Sequence, residues 1–308
     1  MNNFLQNLDR FGFARITDIF SQDEKLILSR IPKQIIKEQS IIYSDSSLKK
    51  TLINNEVKLY KNNNNILTFF NTVNRNFLGV NEELDRLFIK LFSNEKIKFY
   101  LNEIYNQDYK LTTCLIRAAN HKSKYLGLHT DNDTGFTMSV LCNNLKKNDA
   151  TTVFVKGSHL FNKSLKNRIE KINPKYFKPL ITIPEGDLGD INCFYNKTLH
   201  GVKQTYNENY NIVLLLAFHK NSDLNQKNFL LPEYTNYKKK FLDFFPLEVL
   251  KLFEIQPQKN KIKNILKNGR IDFLCKNKSD ILTNLKFFLF LFIANLLDFI
   301  KRIYYIIK

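Results

Sequence analysis

The stretch LGLHTDNDTGFTMSVLC, residues 126–142, joins a His-x-Asp motif to a β-like apolar run. Strand residues two positions apart point to the same side of a sheet, so the side chains of His129 and Asp131 are expected to converge. A metal bound between them needs a third protein ligand. His200 is the candidate, because it follows another apolar run and precedes Gly201. The sequence therefore predicts a metal site made by one carboxylate and two imidazoles.

Two histidines and one carboxylate on one face of an octahedral metal are the ligand set of non-haem Fe(II) oxygenases. Three positions on the metal then stay open, which is enough for a chelating co-substrate and O₂. A His-x-Asp motif alone is weak evidence, because residues of these types also occur on surfaces without binding anything. The interpretation therefore depends on the sequence around the motif.

Short β-like runs follow one another on both sides of the motif, with Gly, Asn and Asp in the turns between them. Several short strands with few helices between them predict a sandwich or closed barrel rather than a parallel α/β sheet. The predicted strands cover residues 111–119, 136–142, 151–156, 180–183, 190–195 and 211–219.

The first third of the chain carries the helical patterns. Alternation over residues 11–16 predicts a half-buried strand. Ser21 and Glu24 then fit the N-cap and N3 positions of a capping box, which predicts the start of a helix. Apolar residues at helical spacing predict helical structure over 83–106, whereas the Asn-, Ser- and Lys-rich residues 40–80 predict loop and short pieces, with a mobile flap as an option.

Five short motifs, taken in order, resemble the phytanoyl-CoA dioxygenase-like family of Fe(II)/2-oxoglutarate-dependent oxygenases. Each motif is weak, and their order gives the resemblance its weight. In chain order they are Phe11-Gly12-Phe13, His129-x-Asp131, Gly157-Ser158-His159, Gly186-Asp187 and His200-Gly201.

The resemblance implies a mainly β fold, with a double-stranded β-helix (jelly roll) core, helices packed on one side and iron in the barrel mouth. It further implies Fe(II), O₂ and 2-oxoglutarate as co-substrate, with hydroxylation of a small or carrier-linked substrate. A second class of function stays open at this point. The chain could be a non-catalytic metal-binding jelly-roll scaffold whose basic tail docks on a membrane or an acidic partner.

The sequence departs from the family where an Arg usually binds the far carboxylate of 2-oxoglutarate. That position, eleven residues after the distal His, is Asn211, and Asn cannot supply a charged bidentate fork. Arg117 is the best replacement, since it lies on the strand that leads to the His-x-Asp motif, and Lys203 and Lys122 are weaker ones. Alternatively, the co-substrate differs or the protein binds metal without turnover. Thr137 is a further candidate for orienting a carboxylate.

Half of the net charge of +18 lies in residues 227–308, which hold 16 Lys and Arg against 7 Asp and Glu. We expect residues 1–226 to form the oxygenase-like domain and 227–308 a basic, mostly helical extension. The apolar run at 287–297 is shorter than the roughly 20 residues that a spanning helix needs. A helix packed on the core, an interfacial helix on an anionic membrane and a true span all stay open.

The excess of basic over acidic residues also suggests nucleic acid as a partner. Most of these basic residues are Lys, however, whereas a surface that reads bases favours Arg. The four cysteines lack CxxC spacing and no signal-peptide pattern opens the chain, so we expect reduced thiols in a cytoplasmic protein, with peripheral membrane association as an option. His159, in its Gly-Ser-His turn, is expected to be a structural hydrogen bonder rather than a metal ligand.

Overall fold

The structure is a computed structural model of the 308-residue chain. It describes residues 2–42, 57–61, 67–71, 81–121, 123, 126–131, 134–149, 151–170, 181–203, 208–220, 222 and 252. The predicted helical extension 227–308 therefore lies outside the described residues except for Leu252, and so does its apolar run at 287–297. Leu252 packs against the main core, and its carbonyl accepts the N–H of Leu111 at 2.9 Å.

Eleven strands form two antiparallel sheets in the described part of the chain. The larger sheet has the order β1-β9-β6-β11-β4-β3-β2, and the smaller has the order β5-β10-β7-β8. The strands are β1 Phe13–Ile16, β2 Val57–Lys61, β3 Leu67–Asn71, β4 Tyr109–Ala119, β5 Leu126–His129, β6 Phe136–Leu141, β7 Thr152–Val155, β8 Ile181–Thr182, β9 Ile191–Tyr195, β10 His200–Val202 and β11 Asn211–Lys220.

The eight strands from β4 to β11 are divided evenly between the two sheets, four in each. The chain crosses from one sheet to the other repeatedly, and neighbouring strands within a sheet are mostly non-consecutive. This is the topology of a jelly roll. The predicted jelly-roll core with packed helices agrees with this architecture, although the described helices hold about as many residues as the strands, so "mainly β" describes the core alone.

Helices cover the outer faces of both sheets. They are α1 Asn2–Phe11, α2 Gln22–Ile42, α3 Glu82–Ser93, α4 Glu95–Tyr105 and α5 Lys163–Glu170, with a 3-10 turn at Ser158–Leu160. The first four share one apolar core with the larger sheet, whereas α5 packs on the smaller sheet. Among the described residues, no helix is long and apolar enough to cross a membrane.

Two helix boundaries follow from polar caps. The predicted capping box starts α2, since Ser21 N–H donates to Glu24 Oε2 at 2.7 Å and Glu24 N–H donates to Ser21 Oγ at 3.4 Å. The helical pattern predicted over 83–106 is confirmed, but Asn94 divides it into α3 and α4. Asn94 has extended backbone, and its side chain accepts the N–H groups of Lys96 and Ile97, so it caps a new helix.

The loop and short pieces predicted for residues 40–80 agree with two short strands, but the prediction missed how these strands pair. Within this segment, β2 and β3 form an antiparallel hairpin that extends the larger sheet beside β4. Pairing with β4 satisfies the backbone hydrogen bonds of this polar segment, which its composition alone does not predict.

Alternation along β4 and β11 separates the two faces of the larger sheet. Ile116 and Leu214 pair in register and belong to the core shared with the helices. Their neighbours along the strands point the other way, toward the smaller sheet, because Ala119 clusters with Leu126 and Val202. We call this surface, between the two sheets, the inner face.

Candidate metal centre

Three side chains meet where β5 ends and β10 begins. His200 pairs in register with His129, and Asp131 follows two residues beyond β5. Asp131 Oδ1 lies 3.5 Å from His129 Nε2, and Asp131 Oδ2 lies 3.4 Å from His200 Nε2. One ligand atom from each of the three residues lies within 4.8 Å of the other two. The structure thus brings together the three residues that the sequence singled out.

Backbone carbonyls orient both imidazoles. His129 Nδ1 lies 2.8 Å from the carbonyl oxygen of Gly127, and His200 Nδ1 lies 2.9 Å from that of Thr198. A carbonyl can only accept, so each Nδ1 donates and carries the ring proton in the neutral form. The lone pair of each neutral imidazole is then on Nε2, the atom that faces Asp131. This arrangement fixes the tautomer that a metal ligand requires.

Asp131 is the most exposed of the three residues, with 47% of its side-chain surface accessible, against 8% for His200. Burial raises the pKa of Asp131, but the charge that His200 carries when protonated, and the Nε2–H groups that both imidazoles then present, outweigh burial and hold this pKa well below its usual value. A metal bound at the two Nε2 atoms would take the place of those protons. Because almost half of the Asp131 side chain is exposed to solvent, the histidines rather than burial decide the direction in which its pKa shifts. An ionised carboxylate beside two imidazoles is a donor set suited to a divalent transition metal.

The close approach of strand β5 explains why the residue after the distal histidine, residue 201, is a glycine. A Cβ at this position would lie against the carbonyl oxygen of Leu126 and only 3.0 Å from that of Gly127. Both carbonyls belong to β5, which carries His129. A side chain at residue 201 would therefore push apart the two strands that hold the ligands.

The Gly157-Ser158-His159 motif supports the other side of His200. Ser158 Oγ accepts the N–H of Leu199 at 2.8 Å and donates to the carbonyl of Val155 at 2.7 Å, and Ser158 is fully buried. His159 Nε2 lies 2.8 Å from the carbonyl of Asp9. This contact agrees with the structural role predicted for His159.

Aromatic rings enclose the histidines on the side of β7 and β9. The ring of Phe194 lies 4.8 Å from that of His200 and 5.0 Å from that of Phe154, which stacks on Phe13 at 4.8 Å. Phe154 and Phe194 are buried. They make this flank of the site apolar and exclude water from it.

Arg117 and Asn211 both lie on the inner face. Arg117 pairs in register with Val213, and Asn211 pairs with Ala119, so the two polar residues are diagonal neighbours on adjacent strands. Arg117 Nε is buried, and the residue stands beside the apolar side chains of Leu115 and Val213. The orientation predicted for Arg117, into the space between the sheets, agrees with this register.

The other candidates for the co-substrate have defined contacts. Thr137 is buried on the inner face, in register with Phe194, and its hydroxyl donates to Asn196 Oδ1 at 2.6 Å. This hydroxyl has a single hydrogen, so in this arrangement it has no donor left for the carboxylate that Thr137 was predicted to orient. Lys203 Nζ donates to the carbonyl of Lys147 at 2.6 Å, and Lys122 lies outside the described residues.

One contact of the site has no signal in the sequence. Thr130, the middle residue of the His-x-Asp motif, donates its N–H and its hydroxyl to Glu170 Oε1 at 3.1 Å and 3.2 Å. Glu170 ends α5, 40 residues further along the chain. Only the packing of α5 against the smaller sheet brings it to the motif.

Comparison with known proteins gives matches among solved structures only. No protein-family model matches the sequence, and no curated protein sequence matches it. AviO1 from Streptomyces viridochromogenes Tue57 matches with a TM-score of 0.52 and 12% identity, covering 71% of this chain and 94% of AviO1. HygX from Streptomyces hygroscopicus, solved with nickel and 2-oxoglutarate bound, matches with a TM-score of 0.50 and 13% identity, over 71% of this chain and 87% of HygX. EctD from S. alaskensis, solved with bound Fe, matches with a TM-score of 0.51 and 14% identity, covering 71% of this chain and 76% of EctD.

Likenesses at such low identity show the fold alone. They agree with the two facing antiparallel sheets and the packed helices described above. The narrower resemblance to the phytanoyl-CoA dioxygenase-like family stays a prediction. The described part of the chain therefore has the jelly-roll fold that it shares with AviO1, HygX and EctD.

Proposed function

We propose that the protein is an Fe(II)- and 2-oxoglutarate-dependent dioxygenase that hydroxylates a small or carrier-linked substrate. One observation carries the proposal: two imidazoles with fixed tautomers and one ionised carboxylate converge at the end of β5 and the start of β10. His129, Asp131 and His200 would be the iron ligands. Two proteins of the same fold, HygX and EctD, were solved with nickel and 2-oxoglutarate and with Fe, respectively, which lends further support.

The spacing of the ligand atoms fits a metal of this size. Metal–ligand bonds of about 2.1 Å at right angles separate neighbouring ligand atoms by about 3.0 Å. The two histidine–carboxylate separations, 3.5 and 3.4 Å, end on different oxygens of Asp131, and one ligand atom from each residue lies within 4.8 Å of the other two. The three side chains would therefore have to draw closer by between about half an ångström and 2 Å to share one metal.

Bound Fe(II), chelated by 2-oxoglutarate, supplies the activation of O₂ for hydroxylation of a C–H bond. The chain holds the ligands through Gly127, Thr198 and Ser158, and the rings of Phe154 and Phe194 keep one flank dry. Water exclusion strengthens the electrostatic contacts of the site and limits side reactions.

Arg117 would bind the far carboxylate of the co-substrate. A dicarboxylate between two apolar sheets needs a cation, because an unpaired buried carboxylate costs several kcal/mol. Arg117 stands on the inner face next to the position where the family carries its Arg, which here is Asn211. We propose that the guanidinium has moved to the neighbouring strand, with Asn211 as a polar neighbour of the co-substrate.

The activity is tested by following 2-oxoglutarate in the presence of Fe(II) and O₂. We expect the full chain to convert it to succinate and CO₂ with dependence on both, and His200→Ala to abolish the conversion. Glu95→Ala is the matched control, since it removes an exposed carboxylate of α4 on the far side of the larger sheet and should leave the rate unchanged. A chain that binds iron but never consumes 2-oxoglutarate would contradict the proposal.

The non-catalytic scaffold is the second candidate, and Asn211 is the observation that favours it. A metal-binding scaffold without a co-substrate clamp would bind Fe(II) at the same triad and show no affinity for 2-oxoglutarate. Measuring Fe(II) binding and 2-oxoglutarate binding on the same protein preparation therefore distinguishes the two candidate functions.

A further inference from the structure

We propose that Glu170 is a positioning residue for the metal site, an inference that rests on the proposed function. It contacts none of the three ligand side chains in the contacts described above. Its carboxylate instead holds the residue between two of them. The expected effect of Glu170 is therefore on the geometry and affinity of the site rather than on the chemistry at the metal.

The contact has the form of a two-point clamp. A single oxygen, Glu170 Oε1, accepts both the backbone N–H and the side-chain hydroxyl of Thr130. Because the N–H belongs to the peptide between His129 and Thr130, this bond fixes the orientation of the chain as it leaves the first ligand. Charge-assisted hydrogen bonds of this type are roughly twice as strong as neutral ones.

The next peptide group, between Thr130 and Asp131, is fixed by a different part of the chain. Asp131 N–H donates to the carbonyl of Asn196 at 3.1 Å, and Asn196 N–H in turn donates to the carbonyl of Gly135. Two consecutive N–H groups of the His-x-Asp motif are thus fixed, one by the β9–β10 connection and one by α5. Loss of the Glu170 bonds leaves Asp131 anchored on one side only.

The clamp is rigid because α5 is docked on the back of the ligand strands. Ile169, the neighbour of Glu170, is buried with Leu128 and Leu199. These two leucines directly precede His129 and His200 in the chain. The packing of α5 therefore sets where Glu170 lies relative to both ligand-bearing strands.

The test measures metal affinity in the full chain with Co(II) alone, by anaerobic titration and visible absorption. We expect Glu170→Ala to raise the Kd for Co(II) about 10- to 100-fold and to alter the absorption band shape, as losses of outer hydrogen-bond partners do. Glu170→Gln keeps an acceptor for Thr130, so it should remain within about fivefold of the wild type, since neutral bonds are about half as strong.

Asn162→Ala is the matched control for a purely structural effect. Asn162 Oδ1 accepts the N–H of Leu165 at the start of α5, so this variant weakens the same helix without touching Thr130. We expect it to lower the Tm and leave the Kd for Co(II) unchanged.

The outcomes separate this inference from the proposed function. Failure of the wild type to bind Co(II) overturns the proposed metal site, and the role of Glu170 with it. Binding by the wild type with an unchanged Kd in Glu170→Ala overturns the positioning role alone. If Glu170→Gln is as weak as Glu170→Ala, the effect comes from charge and the positioning role is also wrong.

Discussion

Replacing Arg117 with Ala tests the part of the site where the sequence departs most from its family resemblance. The change removes the guanidinium from the inner face and leaves His129, Asp131 and His200 intact. We therefore expect metal affinity to persist while affinity for 2-oxoglutarate falls. Arg117 lies on the same face of the sheet as the buried residues Leu115, Val213 and Leu215, and its Nε is buried.

The size of the loss follows from the interaction that is removed. Hydrogen bonds to a charged group contribute about 1.5–3 kcal/mol. At about 1.4 kcal/mol per factor of ten, the Kd for 2-oxoglutarate should rise about 10- to 150-fold. Arg117→Lys should recover only part of this, because a Lys ammonium lacks the planar fork that binds both carboxylate oxygens.

A second substitution uses the diagonal relation between Arg117 and Asn211. Both side chains point to the inner face from neighbouring strands, so Asn211→Arg in the Arg117→Ala background returns a guanidinium to the same region. We expect this double variant to bind 2-oxoglutarate more tightly than Arg117→Ala does. Lys203→Ala is the control, since Lys203 Nζ donates to a backbone carbonyl, and it should match the wild type.

Anaerobic calorimetry of the metal-loaded protein with 2-oxoglutarate gives these affinities directly. The reasoning is refuted if Arg117→Ala binds 2-oxoglutarate as tightly as the wild type, or if Lys203→Ala shows the loss instead.

Two further predictions concern the frame of the site and the start of α2. Gly201→Ala should weaken metal binding at least tenfold and lower the Tm, because its Cβ would press on the β5 carbonyls of Leu126 and Gly127; metal titration and thermal unfolding check it, and an unchanged Kd would contradict it. Burial raises the pKa of Glu24, but hydrogen bonds from Lys90 and Ser21 outweigh it and lower that pKa, so the stabilisation by Glu24 is present above the usual Glu pKa and is lost as pH falls through the folded value. Glu24→Gln should therefore cost about 1 kcal/mol of unfolding free energy at pH 7 and almost nothing near about pH 3, as measured by urea unfolding at both pH values.

The convergence of His129, Asp131 and His200 could be predicted from the sequence, because each of the three residues has a local signal beside it. His129 and Asp131 lie two residues apart beside a β-like run. His200 is followed by Gly201, and the close approach of β5 requires a glycine there. The long strands β4 and β11 were also visible, since the β-like runs at 111–119 and 211–219 are long enough to be recognised. Register along those strands then fixed the side on which Arg117 lies.

Some features could not be predicted, because they come from pairing and packing with the rest of the fold. Strand β10 has three residues and β5 has four, too few to show a period, and both are stabilised by pairing with each other. Asn94 looks like any polar residue within a helical pattern until its side chain is seen to accept two backbone N–H groups. Glu170 reaches Thr130 only through the packing of α5, a long-range contact with no local pattern.

The central claim is that His129, Asp131 and His200 together bind Fe(II) in a form that 2-oxoglutarate can chelate. Its most direct test is an anaerobic titration of the full chain with Fe(II) and 2-oxoglutarate, followed by the visible charge-transfer absorbance of the chelate. The account predicts a band that saturates at one Fe(II) per chain, needs both components and is absent in His200→Ala. A wild-type protein without the band, or a His200→Ala variant that keeps it, would contradict the account.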